Sequence, residues 1–179
     1  MPVVPESLEQ TRSTAEMPGM TRTIELRQPV AAGRGRTFAA LTDWAAQSEW
    51  MLGTRVRASV GAGDKVGDRL EAWTGIGPLG FLDTMVITRI DDYWVEVDHI
   101  GRVVRGRGWM GVQAATDVPQ SSVIVWGEEL QIPLGALGRL GWVVIAPLAT
   151  WGVRFSLRAL ARAVQETPDS HVAQVSATA

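Results

Sequence analysis

Three polar residues sit where the strand pattern reserves places for apolar ones. In Tyr93–Gly101, Val95 and Val97 set the apolar parity; His99 shares it, while Glu96 and Asp98 fall on the other face. In Phe81–Ile90 the same parity joins Asp83 to Met85 and Ile87. In Ser121–Ile132 it joins Glu128 to Ile124, Trp126 and Leu130. A two-residue turn at Asp91–Asp92 makes paired positions sum to about 183, which brings Asp83 opposite or next to His99. All three groups are then expected to point inward. A carboxylate beside an inward imidazole can orient it, hold it protonated, or act as its general-base partner. A buried charge without a partner is costly, so such groups must be paired or wetted. Three uses stay open: a satisfied pair that stakes the strand register, a polar contact for a bound molecule, and proton-transfer catalysis by His99, Asp83 or Glu128.

The remaining composition closes several other chemistries. The 179 residues contain no cysteine, which removes disulfides, thiolate catalysis and Cys-ligated zinc. His99 and His171 are the only histidines, too few for a multi-histidine metal site. No G-x-S-x-G marks a serine nucleophile. Two stretches match G-x-G-x-x-G, at Gly75-Gly77-Gly80 and Gly106-Gly108-Gly111. A dinucleotide site needs a strand before that motif and a helix N-terminus after it. The first match runs into a strand and contains Pro78, and the second lies inside a strand, so both read as bulges or bends in a sheet. Neither a cofactor nor a metal is expected. The formal charge of −2 offers no basic surface for nucleic acid. Apolar residues at 46% and charged residues at 20% fit one ordinary globular domain. Eight tryptophans favour a ligand-binding wall without locating it.

These groups need a sheet to carry them. Thr21–Val30 alternates as a half-buried strand ended by Pro29, and Arg36–Met51 reads as two short helices meeting near Thr42–Asp43. Thr54–Val60 and Asp68–Thr74 are strands around the turn Gly61–Gly67, followed by a loop over Gly75–Gly80. Phe81–Ile90 with Tyr93–Ile100, and Val103–Ala115 with Ser121–Ile132, form hairpins, the second across Thr116–Gln120. From about Leu134 to Glu166 the pattern is helical, with Thr167–Pro168 as the stop signal. The order β–α–α–β–β–β–β–β–β–α implies an antiparallel sheet of about seven strands, its apolar face covered by the long helix. Residues 1–20 and 167–179 read as flexible tails on a domain spanning 21–166. No apolar run in 1–20 is long enough for a signal peptide, so a cytoplasmic location is the default expectation.

The stretches PVAAGRGRTFAALTD…W, GDRLEAWTGIGPLGFLDTMVITRI, DHIGRVVRGRGWM and VIVWGEELQIPLG, in that order ahead of a long helix, resemble the SRPBCC superfamily. This is the START-like, polyketide-cyclase and lipid-transport group, and the likeness is especially to uncharacterised actinobacterial members. It covers about Thr21 to Glu166 and implies a helix-grip α+β fold, a curved sheet wrapped around the C-terminal helix with a mostly apolar cavity between them. It implies binding or transport of a hydrophobic small molecule, lipid or polyketide-like, as the leading reading, and permits an aromatase/cyclase- or dehydratase-like enzyme as the alternative. In that frame Trp73, Met85, Val97, Met110, Trp126 and Trp142 are the expected cavity walls, and Asp83, His99 and Glu128 the polar anchors. Ile76, Leu79 and Phe81, from the apolar loop Gly75–Leu82, are candidate lid residues or a simple cap on the sheet end.

The segment Leu134–Val153 is about as long as a membrane span, with Arg139 its only charge. Gly135, Gly138, Gly141, Gly152 and Pro147 weaken it as a free-standing helix. Its continuation puts Arg154, Arg158 and Arg162 on one stripe and Val153, Leu157, Leu160 and Val164 on another. That pattern fits a helix laid on a sheet and kinked at Pro147 near the cavity mouth. Contact of this helix with lipid, in a membrane-associated regulatory module, is the further alternative.

Overall fold

A computed structural model describes residues 20–116, 118–132 and 135–166. The elements are β1 (Met20–Val30), α1 (Arg34–Leu41), α2 (Gln47–Trp50), β2 (Thr54–Val60), β3 (Arg69–Ile76), β4 (Leu79–Asp91), β5 (Trp94–His99), β6 (Gly106–Ala114), β7 (Ser122–Ile132) and α3 (Gly135–Glu166). Seven strands form one sheet in the order β1-β7-β6-β5-β4-β3-β2. Every neighbouring pair is antiparallel, so β1 returns to flank the last strand and the edges are β1 and β2. The α+β helix grip expected from the sequence is the fold observed. The Trp142 side chain, His171 and the expected tails lie outside the described residues.

Alternation decides which face is buried. Cross-strand partners share a face, so the pairs Val56↔Ala72, Leu26↔Trp126 and Met110↔Trp126 carry one apolar surface from edge to edge. The second half of α3 lays Leu157, Leu160, Ala161 and Val164 on that surface, each at most 4% exposed. Burying a leucine of this kind stabilises the fold by about 1.5–3 kcal/mol. Arg154, Arg158 and Arg162 face water, as the two-stripe pattern required. α1 is pinned over the start of β7 by Ser122 Oγ, which donates to the Ala32 carbonyl at 2.8 Å and lies 2.9 Å from Thr37 Oγ1.

Three expectations are corrected. Pro29 does not end its strand, because β1 is an edge strand and a missing N–H is tolerated on the unpaired side; Pro29 pairs with Val123 and the strand runs to Val30. Gly75–Gly80 is not a loop but a tight hairpin: Gly75 pairs with Gly80, Ile76 with Leu79, and only Gly77–Pro78 turn. Gly77 has φ +57° and proline follows it, the combination of a type II′ turn. The β4–β5 turn lies one residue later than expected, at Asp92–Tyr93, with Asp91 paired to Trp94. A bulge between Ile87 and Arg89 absorbs the offset, so Met85 pairs with His99 and Asp83 sits diagonally beside it.

The tryptophans divide between the faces. Trp94 is paired with Gly111 and Trp109 with Gly127, and in each case a Cβ on the glycine would lie 2.0–2.2 Å from the indole. Trp73 covers Gly80 in the same way. These rings lie over glycines on the convex face, which explains Gly80 and Gly111 as packing positions of the two G-x-G-x-x-G matches.

Candidate functional site

The concave face brings Asp83, His99 and Glu128 together. β4 supplies Asp83 two residues before Met85, β5 ends at His99, and β7 places Glu128 across β6 from them. His99 Nδ1 and Asp83 Oδ2 are 2.6 Å apart, and both side chains are buried. With Asp83 accepting, the imidazole turns Nε2 the other way. Nε2 is buried and has no hydrogen-bond partner among the described residues; Asp83 Oδ1 is in the same condition.

Gly108 lies directly against Nε2. It lies on β6 between His99 and Glu128 in the sheet, pairing with Val97 on one side and Glu128 on the other. A Cβ at this position would stand 3.0 Å from His99 Nε2 and 3.1 Å from Val97 Cγ2. Glycine therefore lets the His99 ring and Val97 close in on the β6 backbone, nearer than any residue with a Cβ would allow without a shift. The sequence reading missed this residue, although its signal was present: an inward-parity glycine one strand away from an inward histidine.

The electrostatics follow from burial and proximity. Burial works against charge on His99, yet the hydrogen bond and charge of Asp83, helped by Glu128, hold its pKa above the ordinary 6.5. Burial raises the Glu128 pKa above 4.5, with His99 and the Trp126 indole pulling the other way. Trp126 Nε1 donates to Glu128 Oε1 at 3.3 Å, and Glu128 keeps partial access to solvent. The cluster can thus donate from Nε2, exchange a proton there, or accept at Glu128. Among the described residues no group of three His, Asp or Glu is placed to hold a metal ion.

Of the expected walls, Met85, Val97, Met110 and Trp126 are buried on the concave face beside this cluster. Trp73 is not among them. It pairs with Arg55 and Leu82 on the convex face, because its parity is opposite to that of Leu70 and Ala72, and it lines an open groove of about 600 Å³ with Met51, Arg55 and Pro78. Ile76, Leu79 and Phe81 have concave-face parity at the β3–β4 tip and are exposed there.

No family model matches the chain, and no curated protein matches it. Solved structures do. A protein of Thermus thermophilus superposes with a TM-score of 0.67 at 10% identity, over 80% of this chain and 97% of the other. An aromatase/cyclase from a Streptomyces species gives 0.66 at 12% identity, over 81% and 94%. Norcoclaurine synthase from Thalictrum flavum, in complex with dopamine and hydroxybenzaldehyde, gives 0.64 at 17% identity, over 92% and 99%. These likenesses show the fold, a helix grip.

Proposed function

We propose that the chain binds a hydrophobic small molecule, lipid or polyketide-like, between the concave sheet face and α3, with the molecule's polar end held at His99 and Glu128. One observation carries this reading: a buried imidazole nitrogen with no hydrogen-bond partner among the described residues, on an otherwise apolar face. A buried polar atom left unpaired costs about 1–3 kcal/mol, which a ligand oxygen can recover by bonding to it. Met85, Val97, Met110 and Trp126 supply the apolar contact that such sites need. The binding requires no cofactor. The test is native mass spectrometry of the gently purified chain, followed by extraction and identification of what is bound. A stoichiometric hydrophobic molecule is expected. An unliganded mass that persists after exposure to fatty acids and aromatic polyketides overturns the reading.

A second reading is an aromatase/cyclase- or dehydratase-like enzyme, favoured by the Asp83–His99 geometry. Asp83 fixes Nδ1, which leaves Nε2 as the group that takes a proton from, or returns one to, a substrate beside a carbonyl. Here His99→Ala abolishes turnover of the identified molecule while its binding survives. Retained turnover in that variant removes His99 as the acid–base group.

A further inference from the structure

The end of the sheet where β3 turns into β4 gathers several other segments. Antiparallel pairing sets Thr54 beside Thr74 and Gly106 beside both His99 and Leu130, so the α2–β2 link, the β5–β6 connection and the end of β7 all emerge there. One hydrogen bond ties the middle of α3 to the α2–β2 link, Leu52 N donating to Ser156 Oγ at 2.9 Å, and a second ties that link to β3, Gly75 N donating to Gly53 O at 2.9 Å.

Large apolar side chains are exposed at this end. Ile76 and Leu79 at the hairpin tip are 87% and 80% exposed, and Leu52 stands beside them at 49%. On α3, Leu148, Trp151 and Phe155 recur at i, i+3 and i+7 and share one outward face, Trp151 stacking on Phe155 at 5.8 Å between centroids. Clustered exposed apolar groups of this size mark a contact surface rather than ordinary scatter. Arg55, Arg102, Arg105, Arg154 and Arg158 are exposed around them. Segments 51–56, 74–82, 100–106 and 135–158 contain no Asp or Glu, in a chain whose net charge is −2; the end of β7 brings Glu128 and Glu129, both half-buried.

We propose that this end docks on an anionic lipid surface, with the hairpin tip and the Leu148–Trp151–Phe155 face entering the headgroup region and the arginines meeting lipid phosphates. Aromatic and aliphatic groups beside arginine are what an interfacial contact requires. A second copy of the chain fits poorly, since a two-fold contact would set arginine against arginine. The contact is superficial: no described helix is long and apolar enough to cross a membrane.

The experiment is co-sedimentation with phosphatidylcholine vesicles, with and without phosphatidylglycerol. The wild-type chain is expected to sediment with the anionic vesicles only, and less so as salt screens the contact. Arg154→Gln/Arg158→Gln is expected to lower partitioning roughly thirtyfold. Ile76→Ser/Leu79→Ser is expected to lower it roughly tenfold or more. All four side chains are exposed, so unchanged melting curves certify the fold of both variants. Native masses of the variants report ligand retention separately, so a failure of docking is distinct from a failure of ligand binding. The proposal is overturned if the wild-type chain ignores anionic vesicles, or if both variants bind them as well as it does. A concentration-dependent dimer that Ile76→Ser/Leu79→Ser disrupts, without vesicle binding, assigns the face to a second copy and also overturns it.

Discussion

The Asp83–His99 contact sets how the cluster answers to pH. Both His99 and Glu128 hold their protons more tightly in the fold than their ordinary values of 6.5 and 4.5 allow. The folded chain therefore binds more protons than the unfolded chain once pH exceeds those values. Their stabilising contribution is complete below the unfolded pKa values and is lost as pH rises through the folded ones. The melting temperature is expected to fall with rising pH above about 4.5–6.5, with a slope that Glu128→Gln and His99→Gln each reduce. Slopes equal to wild type in both variants contradict the coupling. Asp83→Asn leaves burial as the main influence on His99, so the imidazole pKa read by NMR is expected to drop below 6.5. The same change is expected to cost about 3 kcal/mol, since it breaks a buried pair from one side. Gly108→Ala is the sharper probe of the imidazole, since its Cβ presses on Nε2. It is expected to weaken ligand binding strongly while costing the fold only about 1–2 kcal/mol, the range of modest overpacking. Binding at wild-type strength in this variant places the ligand elsewhere.

At the scale of elements, α3 has two different halves. Leu157→Ala is expected to lower stability by about 2–5 kcal/mol in urea melts, because the side chain is 1% exposed against the sheet. Leu148→Ala, on the exposed stretch, is expected to stay within about 0.5 kcal/mol of wild type. Equal losses would place Leu148 in the core and remove the docking face. The α3 stripes were readable because Arg154, Arg158 and Arg162 and the Leu157–Leu160–Val164 set each keep a helical period. Strand parity likewise placed Asp83, His99 and Glu128 on one face. What could not be read was two-dimensional. The bulge after Ile87 fixes which residue stands beside His99, and no local pattern announces it. Trp73 was misplaced for a related reason: a tryptophan reads as a pocket wall until the register shows it lying over Gly80 on the outside.

On the scale of the whole molecule, one sheet does two separable things. Its concave face holds a polar cluster against an apolar floor, and the end of the sheet next to that cluster gathers exposed apolar side chains within an arginine rim. The order of elements was legible because each hairpin and the long helix carry local signals. The exposed end was only half legible. Ile76 and Leu79 were recognisable as apolar punctuation in a glycine-rich stretch, but their place at the same end as Leu52 and the middle of α3 exists only once hydrogen bonds join α3 to the α2–β2 link and that link to β3. The central claim is that an apolar ligand enters the grip and anchors at His99 Nε2. It is tested most directly by long-range ¹⁵N–¹H NMR of histidine-labelled protein, before and after saturation with 1-anilinonaphthalene-8-sulfonate, an aromatic probe with one anionic polar end. The account predicts that one imidazole shifts at Nε2 while its Nδ1 keeps the signature of the Asp83 hydrogen bond, with His171 unmoved as the internal reference. Probe binding that leaves both nitrogens of His99 where they were contradicts it.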